Sequence, residues 1–307
     1  MVCGKHWKRS EVNMITLENE QFLVEISEKG AELQKIFSKV QSIDYLWDGN
    51  PDVWAKHAPV LFPSIGKSND DQYRHKDKNY EMPHHGFAGE FDFKVVAQSS
   101  ESVSLSLSDN ESTFARFPFH FDLILRYTLT SIGLETTYTV KNLSDEPMSF
   151  SLGAHPAFRI PFDDAGEFED YEVSFEPNSI DLKRFEFVMT PMPHRSGVAH
   201  SFKTVKGKVQ LTRELFKDGL IVFDNPDITS VTLSSSKSAH SVTVDTHEFP
   251  YFCLWTQDKA AAKFVCLEPF YGIPDKAGKS AELLEKEGNC VLAGRVEKEI
   301  KTSYLFR

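Results

Sequence analysis

FHFDLILRYTLT (residues 119–130) and LETTYTV (residues 134–140), separated by a turn that contains Gly133, decide the fold class. Apolar and polar residues alternate along both runs. Phe121, Leu123, Leu125, Tyr127 and Leu129 fall on one face of an extended chain, and Asp122, Arg126 and Thr128 on the other. A helix would need its apolar positions three and four apart. Two amphipathic strands joined by a turn are therefore predicted.

The same rhythm continues outward from this pair. Towards the N-terminus, residues 103–107 and 91–98 alternate, and residues 15–37 read as two strands with a break at Gly30. Residues 43–47 form a short apolar run stopped by the turn cluster DGNP (residues 48–51), and residues 51–57 fit a single helical turn. PVLFPSIGK (residues 59–67) reads as a buried strand between prolines, followed by a polar hairpin over residues 70–80. Towards the C-terminus, NLSD (residues 142–145) is a turn leading to SLGAHPAF (residues 151–158), and residues 162–169 form an acidic loop. Short strands are expected at 171–175, 209–211, 220–223, 231–233, 242–244, 252–256 and 264–267, then a helix at 280–286 and a last strand at 296–305. No short-period repeat, low-complexity tract or Pro/Gly/Ser linker divides the chain. The expectation is an all-β protein, a large antiparallel β-sandwich of two broad sheets packed face to face. Residues 1–13 read as a variable N-terminal extension and 14–307 as a single domain.

Composition limits what such a protein does. A formal charge of −11 over 307 residues disfavours nucleic acid and anionic membranes, which are bound through a Lys/Arg surplus. No apolar run reaches the ~18 residues of a membrane span, and no apolar core of a secretory signal follows the basic N-terminus. Cys3, Cys253, Cys266 and Cys290 form no CxxC pair and have no histidine at zinc spacing. They read as free thiols in a reducing, cytoplasmic compartment, with no metal and no cofactor implied. A small, neutral or weakly charged ligand suits this balance, and nothing in the sequence sets an oligomeric state.

Five residues stand out chemically. His155 precedes Pro156, which biases it to extended backbone and withholds the next ladder amide, leaving an imidazole at a strand end. With an ordinary pKa of about 6.5, histidine exchanges protons near neutrality; the plainer alternative is a ring bonded to backbone. Glu268, in CLEPFYGIPD (residues 266–275), stands where an apolar strand is expected to end. Burial beside Phe264 and Phe270 raises its pKa, and bonds from neighbouring donors keep it ionised, unless it is an ordinary ion pair. Asp218 precedes an expected strand, Lys67 could touch a ligand oxygen or lie solvated, and His85 follows His84. Adjacent residues of an extended chain face opposite ways, so His84 and His85 are not expected to share a metal.

An ordered set of segments resembles the aldose 1-epimerases, the galactose mutarotase-like proteins, and within them the LacX-type branch. The set is LFPSIGK (61–67), HGFAG (85–89), GAHPAF (153–158), FKDGLIVF (216–223), LWT (254–256) and EPFYGIPD (268–275), and the likeness runs from about Met14 onward. The resemblance implies the supersandwich fold and an acid–base reaction on a sugar without metal or cofactor. It implies that His155 protonates the ring oxygen, that Glu268 takes the proton of the anomeric hydroxyl, and that His85 and Asp218 hold the sugar. Lys67 stands where many relatives have arginine, keeping the charge but losing the bidentate fork. Gly89 replaces an arginine that relatives use for phosphate, which disfavours a phosphorylated substrate, and Phe270 replaces a tryptophan. The expected activity is mutarotation of a free aldohexose such as galactose or glucose. The alternatives are a non-catalytic carbohydrate binder, a hexose-phosphate mutarotase, and a glycoside hydrolase or lyase.

Overall fold

A computed structural model describes residues 13–189, 193–217, 219–224, 227–278 and 280–307. The chain is all-β, with antiparallel pairing between neighbouring strands and one short α-helix among the described residues. A nine-stranded sheet runs, edge to edge, through Lys208–Gln210, Tyr171–Glu176, Ser230–Ser235, Ser241–Asp245, Glu297–Phe306, Gly133–Asn142, Phe121–Leu129, Ser102–Ser108 and Lys94–Gln98. The second large sheet runs through His194–Phe202, Leu182–Val188, Ile221–Asp224, Tyr251–Trp255, Phe264–Tyr271, Leu152–Ala154 and Val60–Leu61, with Ala157–Arg159 also paired to Phe264–Tyr271. A four-stranded sheet holds Met14–Glu18, Phe22–Ser27, Leu33–Ser38 and Ile43–Asp44.

The alternation of residues 119–140 translates directly into register. Phe121 pairs with Asn142 and Leu129 with Leu134 across the hairpin, and Leu123, Leu125, Tyr127, Leu134, Tyr138 and Val140 are all buried on the inner face. Aromatic rings join the two large sheets across the core: Phe175 meets Phe223 at 5.5 Å, Phe62 meets Phe121 at 5.2 Å, and Phe158 meets Tyr304 at 5.9 Å. Each such side chain removes on the order of 150–250 Å² of surface from water, so these contacts dominate the packing. Gly133 lies so close to the last strand that a Cβ there would fall 1.9 Å from the Tyr304 carbonyl oxygen. Glu297–Phe306 sits between Gly133–Asn142 and Ser241–Asp245, bridging two halves of the nine-stranded sheet.

Several local expectations need correction. Residues 15–37 hold three strands, because Met14–Glu18 pairs separately with Phe22–Ser27. Residues 51–57 form no helix, although the Val53 and Trp54 amides both donate to the Asn50 carbonyl, at 3.0 Å and 2.8 Å. The expected helix at 280–286 is a 3₁₀ turn, Leu283–Glu285. The helix that does form, Glu111–Arg116, starts from a capping box in which the Asn110 side chain accepts the Thr113 amide and Thr113 Oγ1 accepts the Asn110 amide. Leu182–Val188 and His194–Phe202 are an exposed hairpin that has no clean alternation. No helix among the described residues is long and apolar enough to cross a membrane.

Candidate active site

One strand carries the centre of the site. Phe264–Tyr271 pairs with Leu152–Ala154 through Gly153↔Phe270, and with Ala157–Arg159 through Ala157↔Cys266. The ladder is interrupted between these pairs at His155-Pro156, and the shared register sets His155 opposite Glu268. Pro156 withholds its own amide while its carbonyl accepts the Leu267 amide at 3.2 Å, so the break is held in place. On the other side, Cys253 of Tyr251–Trp255 pairs with Glu268. His155, Glu268 and Cys253 thus form one row across three neighbouring strands, with side chains on one face.

That face lines a cavity of ≈ 390 Å³, which His155, Glu268, Cys253, His85, Trp54 and Trp255 share. Its volume lies in the range of about 300–1,000 Å³ typical of small-molecule sites. His155 Nε2 lies 3.3 Å from Glu268 Oε2, and both residues are buried, at 6% and 1% exposure. Trp54 stacks on the imidazole with centroids 5.2 Å apart, and Trp255 meets it edge-on at 5.4 Å. Glu268 is not at a strand end as expected, because the strand continues through Pro269 to Tyr271.

Electrostatics at the pair follow from burial. Desolvation pushes the Glu268 carboxyl well up from its ordinary value, opposed by a hydrogen bond with the Cys253 thiol. Beyond the Cys253 thiol and the neighbouring imidazole, the carboxylate lacks the donors expected to keep it ionised, and its Oε1 has no hydrogen-bond partner among the described residues. Burial pushes His155 down to about 3, with the charges of Lys56 and His84 adding to the effect.

His85 joins the cavity from a turn. Its amide donates to the Gly66 carbonyl at 3.0 Å and its Nδ1 accepts the Gly66 amide at 3.2 Å, so the neutral ring carries its proton on Nε2. The next residue, Gly86, has φ +75, and a Cβ there would lie 2.2 Å from the Phe62 carbonyl oxygen. His85 itself has φ +66, so the chain is not extended, and the rings of His84 and His85 lie 3.9 Å apart rather than on opposite faces. Lys67 is not among the residues lining the cavity, and its ammonium pairs with Asp71. Asp218 lies outside the described residues. Gly89 and Phe270 both line the cavity.

Trp54, Lys56, Trp255 and Cys253 were not singled out from the sequence. Trp255 appears there only inside the LWT segment, and Cys253 only as a free thiol. Lys56 lines the cavity, is exposed, and has no ion-pair partner among the described residues. Next to Pro274, which lines the cavity, Asp275 Oδ1 pairs with Lys286 Nζ at 2.9 Å, both side chains buried, and Asp275 Oδ2 accepts the Asn69 amide at 3.1 Å. The ion pair ties the 272–278 loop to Lys286, and the Asn69 amide bond ties it to the segment after Lys67.

Comparison with known proteins gives consistent matches. The family model of aldose 1-epimerase matches residues 13–283. The chromosomal protein LacX of Lactococcus lactis subsp. lactis is 31% identical over 268 residues, covering 84% of this chain and 88% of that protein. Among solved structures, a galactose mutarotase-like protein from Lactobacillus casei ATCC 334 is 38% identical with a TM-score of 0.90, covering 96% of this chain and 100% of that one. A galactose mutarotase related enzyme from Lactobacillus acidophilus is 32% identical with a TM-score of 0.90, covering 96% and 97%.

Proposed function

Because the chain belongs to the aldose 1-epimerase family, we propose that it interconverts the α and β anomers of a free aldohexose by opening and reclosing the hemiacetal. Opening requires a proton on the ring oxygen and the loss of one from the anomeric hydroxyl. Rotation about C1–C2 and reclosure on the other face complete the cycle. In this proposal His155 protonates the ring oxygen, Glu268 receives the hydroxyl proton, and reclosure reverses both transfers. The observation that carries it is the 3.3 Å approach of His155 Nε2 and Glu268 Oε2 within one sugar-sized cavity.

The directions of the two pKa shifts bear on where the proton starts. Burial favours the neutral forms, a protonated Glu268 beside an uncharged His155, which is the reverse of the two proposed roles. The proton count of the pair is nevertheless the required one. Sugar hydroxyls that donate to the carboxylate favour its ionised form and pass the proton to the imidazole. Each positioned transfer contributes typically about 10²–10⁴-fold. The Nε2–H of His85 is available to a sugar oxygen, Trp54 and Trp255 offer apolar ring faces, and Asp218 is a further proposed sugar contact. Lys67, committed to Asp71, acts in this reading through its charge near His84.

The same proposal takes residues 14–307 as one domain, supported by a hydrophobic cluster that includes both Ile15 and Phe306. It takes the compartment as cytoplasmic, in keeping with Cys253, Cys266 and Cys290 all being buried thiols. Polarimetry and NMR exchange on fresh α-glucose and α-galactose test the activity. Equilibration faster than buffer is expected with at least one of them. Saturable sugar binding without acceleration would overturn the enzymatic reading in favour of a binder, and cleavage of a disaccharide would overturn it in favour of a hydrolase.

A further inference from the structure

The row that carries the proposed chemistry is bordered by sulfur. Cys266 precedes Glu268 by two residues and shares its face of the strand, and Cys253 stands opposite Glu268 on the neighbouring strand. A ring nitrogen of His155, Cys266 Sγ and a Glu268 carboxylate oxygen lie within 4.8 Å of one another, and all three residues are buried. Glu268 Oε1, on a side chain 1% exposed, has no hydrogen-bond partner. An imidazole, a thiol and an unsatisfied carboxylate therefore converge from two strands.

Tetrahedral Zn²⁺, with bonds of about 2.0–2.3 Å, sets its ligand atoms roughly 3.3–3.8 Å apart. The 3.3 Å between His155 Nε2 and Glu268 Oε2 is already such an edge, and drawing the sulfur in requires a shift of at most about 1 Å to 1.5 Å. We propose that His155, Cys266 and Glu268 form a binding site for a thiophilic divalent cation such as Zn²⁺, with the fourth position open to the cavity and Cys253 steadying the carboxylate. On binding, the Cys266 thiol releases its proton to solvent, and any proton on Glu268 leaves with it. One thiolate and one carboxylate then balance the 2+ charge, so no net charge is buried. The mixed nitrogen, sulfur and oxygen donors suit Zn²⁺ or Co²⁺ and not Mg²⁺ or Ca²⁺, which take oxygen. If His155 and Glu268 move protons as proposed above, the bound cation occupies both carriers and stops turnover. The site is then an inhibitory one.

Co²⁺ is the probe, added to the reduced, chelator-stripped full chain carrying Cys3→Ser. One equivalent is expected to produce thiolate charge-transfer absorption and the strong visible bands of a tetrahedral ion, and Zn²⁺ to erase both. Cys266→Ala and Cys266→Ser should each remove the charge-transfer band and weaken binding by more than about 100-fold, beyond the 10–100-fold that follows loss of a supporting group. Cys290→Ser should change neither. No thiolate band up to millimolar Co²⁺, or a band that survives both Cys266 variants, would overturn the site. Neither readout depends on turnover, so the metal site stands or falls separately from the mutarotase reading. Zn²⁺ that fills the site without slowing mutarotation would keep the site and sink the assignment of His155 and Glu268 as proton carriers.

Discussion

Gly133–Asn142 and Phe264–Tyr271 are both interior strands of large antiparallel sheets, yet their burial differs. The first alternates, with Leu134, Thr136, Tyr138 and Val140 inside and Glu135 in solvent. The second is buried at every position from Phe264 to Phe270. Val265 and Leu267 face the core between the sheets, while Cys266, Glu268 and Phe270 face the other way, where Trp54 and Trp255 stand in place of water. A polar residue on the first kind of strand is a solvated surface group. On the second kind it is desolvated, and a carboxylate held there without an ion-pair partner of fixed charge marks a site.

The largest test of this contrast is a pair of substitutions. Glu268→Gln and His155→Ala are expected to lower kcat for mutarotation by about 10²–10⁴-fold while the protein stays folded. Leu125→Ala, on the inner face of the alternating sheet, should instead lower stability by about 2–5 kcal/mol and leave kcat of the folded fraction unchanged, as read by urea titration and polarimetry. A catalytic loss in Leu125→Ala equal to that in Glu268→Gln would erase the distinction between the two strands.

A smaller effect is expected in the pH profile. The working pair holds one proton; it gains a second only near the His155 value of about 3 and loses its own only above the raised Glu268 value. The rate kcat/KM should therefore show no acid limb until the pH approaches the His155 value of about 3, and its alkaline fall should lie well above the ordinary carboxylate value of 4.5. An acid-side limb near pH 6.5 would mean that the imidazole titrates as if in water, contrary to its burial.

The smallest effect concerns stability. Because the Glu268 pKa is raised on folding, the stabilisation its protonated form provides is present below the unfolded value near 4.5 and is lost as pH rises through the folded value. Glu268→Gln removes that loss, so the variant should gain in Tm relative to the wild type as the pH rises from 4.5 to 8. The difference should shrink towards pH 4.5. Equal melting at both pH values would show that the carboxylate is not desolvated.

Where one face of a strand meets water, the fold was legible. The two alternating runs over residues 119–140 fall in the hairpin they predict, and the last strand, expected at 296–305, is Glu297–Phe306. Legibility failed at Leu182–Val188 and His194–Phe202, whose exposed positions do not alternate, and at Glu111–Arg116, where a cap rather than a periodic face starts the helix. Within the site, proline and the resemblance singled out His155 and Glu268, which the structure brings together. Cys253, Cys266, Trp54 and Lys56 were not legible because their roles depend on register between strands distant in sequence, and no local spacing encodes a row across a sheet.

The bridging position of Glu297–Phe306 has a consequence for how the chain is made. Every other strand of its sheet leaves the ribosome earlier, yet the group containing Ser241–Asp245 and the group containing Gly133–Asn142 have no hydrogen-bonded contact until this segment arrives. Two open sheet edges therefore wait through synthesis for one late segment, and until it arrives they are the part of the nascent chain most exposed to mispairing.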